Sequence, residues 1–62
     1  KMPMTPKQMV KHLKKNGFYE ISQRGSHLKM RDDKGRQTTV PMHNKDLSKG
    51  TEDAILKQAG LK

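Results

Sequence analysis

Apolar positions along this chain keep a helical period at both ends and alternate in between. Met9, Val10 and Leu13 recur at i, i+1 and i+4, a narrow apolar stripe, with Lys7, Lys11, Lys14 and Lys15 filling the rest of the turns. The start signals are complete: Thr5 suits an N-cap, Pro6 falls where a missing N–H costs nothing, and Gln8 closes a T-x-x-Q capping box. Asn16-Gly17 supplies the stop, so the pattern predicts a helix over about 6–16.

From Phe18 onward the period drops to two. Three short strands are predicted: Phe18 to Arg24, His27 to Arg31, and Arg36 to Val40 before Pro41. Gly25-Ser26 and Asp32-Asp33-Lys34-Gly35 are the turns between them. In the middle strand Leu28 and Met30 share one face, and His27, Lys29 and Arg31 the other. Thr38, Val40 and Met42 share the inward face of the third strand. Phe18 and Tyr19 point to opposite sides, so at most one of them can offer its ring to a ligand.

The helical period returns at the C-terminal end. Ser48 or Thr51 caps this second helix, Glu52 and Asp53 sit in its first turn, and Lys57 lies near its end, all matching the helix dipole. Ala54, Ile55 and Ala59 form the inward stripe with Leu56 at its edge, and Gly60 ends the helix. The order is α-β-β-β-α within a single domain, 1–62. The expected class is α+β: a three-stranded antiparallel sheet with both helices on one face. The other face meets solvent or a ligand, and it carries His27, Lys29 and Arg31.

Composition narrows the partner class. The 62 residues hold 14 Lys and Arg against 6 Asp and Glu, a formal net charge of +8, which favours a polyanion. Five of the lysines lie in residues 1–19, where there is no acid. With no Cys there can be no disulfide framework, thiol nucleophile or thiolate metal site. The chain is 29% hydrophobic and has no apolar run long enough to span a membrane, nor a signal-peptide h-region after Lys1 to Thr5, so the expected compartment is the cytoplasm. Met2, Met4, Met9, Met30 and Met42 read as gap-fillers of a small core or as an apolar rim for a partner.

Candidate chemistry centres on one histidine. His12, His27 and His43 have no chelating spacing, and neither phosphate-binding glycine motif occurs, so no metal and no cofactor is expected. His12 falls among lysines on the polar side of the first helix. His43 follows the third strand, either as a loop residue or as an approach to the sheet. Ser26 alternates away from His27, which gives no support to a serine nucleophile. Same-face neighbours on a strand are about 7 Å apart, so His27 can reach one phosphate while Lys29 or Arg31 holds the next. RNA carries its own nucleophile, the 2′-hydroxyl; cleavage then needs a base that titrates near neutrality and cations for the developing charge. A histidine among cations also suits mere phosphate contact. With so few aromatics, binding by stacked single-stranded bases has little support in the composition.

The strings Leu13-Lys14-Lys15-Asn16-Gly17-Phe18, Gly25-Ser26-His27, Thr39-Val40-Pro41-Met42-His43, Gly50-Thr51 and Ile55 to Leu61, in this order and spacing, resemble the HicA (YcfA-like) toxins. The resemblance implies a small metal-independent RNA endonuclease, an mRNA interferase, of a type II toxin–antitoxin pair. It also implies the double-stranded-RNA-binding-domain fold and neutralisation by a HicB antitoxin. The family's G-S-H histidine maps onto His27, with Gly25 and Ser26 forming the turn that presents it. Lys29, Arg31 and Arg24, together with Lys11 and Lys14 of the basic first helix, are the expected RNA contacts. Many relatives carry a second His or an aromatic just after the motif, where this chain has Leu28 and Met30. The alternative is a non-catalytic double-stranded-RNA-binding module of the same fold; a DNA-binding domain is a weaker one.

Overall fold

A computed structural model of the protein describes residues 4–43 and 45–62; Met2 lies outside them. The element order is α1 (Pro6–Lys15), β1 (Tyr19–Arg24), β2 (His27–Arg31), β3 (Gln37–Pro41) and α2 (Lys49–Gln58). The strands form one antiparallel sheet in the order β1-β2-β3. This is the expected α+β arrangement, with small boundary differences that have local causes.

Helix α1 starts as its sequence dictates. The Thr5 hydroxyl accepts from the Gln8 N–H at 3.1 Å, and the Gln8 side chain accepts from the Thr5 N–H at 2.9 Å. At the other end Gly17 has φ +88°, which lets the Gly17 N–H donate to Lys14 O and the Phe18 N–H donate to Leu13 O at 3.0 Å. This closure sends Phe18 inward against the helix it has just left, so Phe18 belongs to the helix stop and β1 begins at Tyr19. Helix α2 is capped by Ser48, whose hydroxyl accepts from the Thr51 N–H. Its inward stripe is Glu52, Ile55 and Ala59; Ala54 is exposed, contrary to expectation. At 100° per residue Ala54 is a full step off the line joining 52, 55 and 59, and its small apolar side chain carries no directional information.

Both helices cover the same side of the sheet. Met9, Val10, Leu13, Ile55 and Ala59 form one buried cluster with Leu28, Met30 and Val40. Three core residues come from outside the regular elements: Phe18, Leu47, which is 1% exposed, and Ala59, the C-cap of α2. Leu47 is drawn in by hydrogen bonds at the start of the chain. Its N–H donates to Met4 O at 2.9 Å, while the Met4 N–H donates to the Glu52 carboxylate at 2.8 Å. Met4 and Met42 are half-buried at the margin of the core, whereas Met9 and Met30 are fully inside it.

The β2–β3 connection is organised by Asp32. One carboxylate oxygen accepts from the N–H groups of Lys34 (3.1 Å) and Arg36 (2.8 Å), and the other accepts from Arg36 Nε at 2.7 Å. Arg36 is thereby held in the turn rather than in β3, and its guanidinium lies over the Phe18 ring, 5.9 Å from the centroid. Burial tends to raise the Asp32 carboxyl, but the bonds from Arg36, its charge and the Lys34 N–H outweigh this and hold it below its usual value. A depressed carboxylate stabilises the fold above its unfolded-state value of about 4, and this contribution is lost as pH falls through the lower folded-state value. Asp32→Asn is therefore expected to lower Tm at pH 7, with the gap to the parent protein closing below about pH 4. Thermal melts of both proteins across that range check this.

Candidate functional site

The ladders sort the sheet into two faces, because residues paired directly across antiparallel strands project to the same side. Leu28 pairs with Val40, and Met30 with Thr38; these four are buried. Between them, three ranks point away from the helices: Arg24–His27–Pro41, Ser22–Lys29–Thr39 and Tyr19–Arg31–Gln37. The alternating exposed and buried pattern of β2 and β3 is the one the sequence predicts. His27, Lys29 and Arg31 are all exposed on this outward face.

Strand β1 reaches this arrangement by a β-bulge. Its register shifts between Glu20 and Ser22, leaving Ile21 as the extra residue. Strict alternation from Tyr19 outward would have turned Ser22 and Arg24 toward the helices. The bulge reverses the phase, so that Tyr19, Ser22 and Arg24 all face outward while Glu20 stays on the helix side. There Glu20 accepts an ion pair from Lys14 of α1 at 3.0 Å. Arg24 thus stands directly opposite His27, a placement that no simple periodicity reveals.

His27 is presented by a two-residue hairpin loop. Arg24 and His27 are its last ladder pair, and only Gly25 and Ser26 lie between them. Gly25 has φ +56° and, among the described residues, no non-glycine residue, Ser26 included, has positive φ, so the positive angle sits at the first central position alone, as in a type II′ turn. A Gly-Ser dipeptide meets that demand without strain. The Gln23 side chain donates to Gly25 O at 3.1 Å, and Ser26 O accepts from the Met42 N–H at 2.5 Å, tying the turn to the end of β3.

Arg24, His27 and Lys29 line one shallow hollow together with Ser22 and Thr39. Thr39 was legible from the sequence as the outward neighbour of Thr38 and Val40; Ser22 was not, since its orientation depends on the bulge. No acidic residue lies in the three outward ranks. Arg31 continues the cationic row beside Tyr19. Lys11 and Lys14 stand apart on α1, on the opposite side of the sheet. His43 is exposed and lines a separate hollow with Thr5, Pro6, Lys7 and Met42, while His12 is half-buried on α1. Among the described residues no group of three or more His, Cys, Asp or Glu side chains converges as metal ligands, and no helix is long and apolar enough to cross a membrane.

Chemically, the hollow sets an imidazole beside two cations with no competing carboxylate. That combination can hold a phosphodiester and move a proton next to it.

Comparison with known proteins agrees with the resemblance noted in the sequence. The profile of a family described as the HicA toxin of bacterial toxin–antitoxin systems matches residues 6–61. A chain in a solved toxin–antitoxin complex from Streptococcus pneumoniae is 43% identical, superposes with a TM-score of 0.82, and aligns over 95% of this chain and 100% of its own length. No curated protein matches this sequence.

Because His27 is exposed on the solvent side of the sheet, its removal leaves the core untouched. His27→Ala is expected to shift unfolding free energy by no more than about 0.5 kcal/mol, measurable by denaturant titration.

Proposed function

This chain belongs to the HicA toxin family of bacterial toxin–antitoxin systems, and on that footing we propose that it is a toxin that acts as a metal-independent RNA endonuclease, cleaving mRNA in the cytoplasm and so arresting translation and growth. The observation that carries the proposal is the outward rank in which His27 and Arg24 stand opposite each other, with Lys29 beside them in one hollow.

In this reading the RNA strand crosses the outward face. The neutral imidazole of His27 takes the proton of a 2′-hydroxyl, whose oxygen attacks the adjacent phosphorus in line. The bond from phosphorus to the 5′-oxygen breaks, and the departing oxygen collects a proton from the solvent to which the shallow hollow is open. Arg24 and Lys29 stabilise the extra negative charge on the pentacoordinate phosphorus, and Arg31 holds a neighbouring phosphate. Gly25 and Ser26 contribute the rigid bend that aims His27. Lys11 and Lys14, on the far side of the sheet, act through the long-range positive field that draws the polyanion in. The reaction needs no cofactor because the substrate supplies the nucleophile.

The partner of such a toxin is a HicB-type antitoxin. The toxin–antitoxin complex in which the similar chain was solved supports a protein partner, and the single-sign charge of the outward face, which suits an acidic or extended segment, supports that face as the one it covers. Covering His27 would block the chemistry without disturbing the fold.

Paired induction of the native protein and His27→Ala, with mapping of RNA ends and cleavage of purified RNA in the presence of a chelator, tests the assignment. The expected loss is about 10²–10⁴-fold in cleavage rate, together with loss of growth arrest, and no effect of chelator on the native protein. Near-native cleavage by His27→Ala would refute the role of His27, and binding without turnover by the native protein would point instead to a non-catalytic RNA-binding module. Lys29→Ala is expected to weaken RNA binding and to flatten the log–log salt dependence by about 0.7 for a single-stranded substrate, as read from titrations at several ionic strengths.

A further inference from the structure

Resting on the ribonuclease reading, we propose that Tyr19 is a substrate-positioning residue of the outward face, a platform on which an unpaired nucleobase of the RNA stacks while Arg31 beside it holds the phosphate. The protein has two aromatic side chains. Phe18 is 3% exposed and covered by Arg36, which removes it from any ligand. Tyr19 is 44% exposed on the edge strand, pairs directly with Arg31, and projects outward on the same face as His27. It contributes nothing to the core, whose sheet layer is built from Leu28, Met30, Thr38 and Val40.

A lone exposed aromatic on a surface needs no explanation. Here the setting supplies one. Tyr19 stands at one end of a row that runs through Arg31 and Lys29 to His27, with no carboxylate among the outward ranks, and an aromatic face beside a row of cations is the combination that single-stranded nucleic acids use. The span from His27 to Arg31 is four residues of strand, about 13 Å. The stacked base therefore belongs to a nucleotide flanking the cleaved bond, not to the 2′-hydroxyl donor itself. Stacking requires a base free of its complement, so the site selects single-stranded over duplex RNA. The bulge at Ile21 makes this geometry possible, because it allows Tyr19 and Arg24 to face the same way from one strand.

The chain contains one Tyr and no Trp, so its intrinsic fluorescence reports on Tyr19 alone. The test titrates the full-length His27→Ala protein with a single-stranded RNA oligonucleotide of mixed sequence, following tyrosine emission corrected for absorption with N-acetyltyrosinamide. Anisotropy of the same oligonucleotide carrying a 3′ label measures binding independently. In parallel, Tyr19→Ala and Tyr19→Phe are assayed for cleavage by the otherwise native protein, with circular dichroism to verify folding. Expected are quenching on RNA binding, a rise in KM of roughly 5- to 150-fold for Tyr19→Ala with kcat little changed, and near-native behaviour of Tyr19→Phe. RNA binding without quenching, or an unchanged KM in a folded Tyr19→Ala protein, would overturn the role of Tyr19 while leaving the ribonuclease assignment standing. Quenching by a co-produced protein partner but not by RNA would likewise overturn it, assigning the ring to a protein interface. If the native protein neither binds nor cleaves RNA, the ribonuclease reading fails first and this one with it.

Discussion

Strand β2 is hydrogen-bonded on both edges, and its five residues alternate so that the side chains that hold the domain together fix the direction of the cationic ones on the outward face. Leu28 and Met30 are buried under the two helices; His27, Lys29 and Arg31 consequently face away from them. A slip of one residue would expose the two apolar side chains and force three polar or charged ones beneath the helices. Losing the burial of a Leu or Met side chain costs about 1.5–3 kcal/mol, and a buried unpaired charge costs several more. The register is thus defended from both sides, and presentation of the cationic face comes with core formation.

A chain of 62 residues has little core to spare, and this one completes it with side chains that lie outside its helices and strands. Phe18 turns in at the close of α1, and Leu47 is brought in by the Met4–Glu52 and Met4–Leu47 hydrogen bonds that tie the first described residues to the approach to α2. Asp32 binds the turn on the other side, and through it Arg36 lies across Phe18. Most of the lysines are left at the surface, where their mutual repulsion is screened and where they generate the field that a polyanion meets.

Fold alone would not assign chemistry to this domain, since the same helix-and-sheet frame serves for binding as readily as for catalysis. The proposed chemistry rests on the local constellation at the Gly25-Ser26 hairpin. The turn forces His27 to begin its strand immediately, the ladder sets Arg24 opposite, and period two brings Lys29 into the same hollow. Family membership and the 43% identical chain from a toxin–antitoxin complex bear on the whole domain; the proposed mechanism rests on the geometry of these few residues.

The amino-acid sequence by itself determined the element order, the capping box of α1, the pair Ser48 or Thr51 for the cap of α2, the inward faces of β2 and β3, and hence the exposure of His27, Lys29 and Arg31. All of these follow from local propensity and from periods of 3.6 and 2, which need no knowledge of what packs where. It was silent on the bulge at Ile21, on Leu47 as a core residue and on which of two adjacent aromatics faces outward, and its apolar stripe wrongly placed Ala54 inward. Each of those depends on a contact between distant parts of the chain. The bulge lets β1 pair with β2 with Glu20 on the helix side, near Lys14 of α1, and Arg24 in the rank of His27. Leu47 is buried because Met4 and Glu52 hold its backbone there, and Ala54 is exposed because the line of Glu52, Ile55 and Ala59 already fills the space over the sheet. Only the packed tertiary structure can settle such choices, because their energies arise between residues that the sequence keeps far apart.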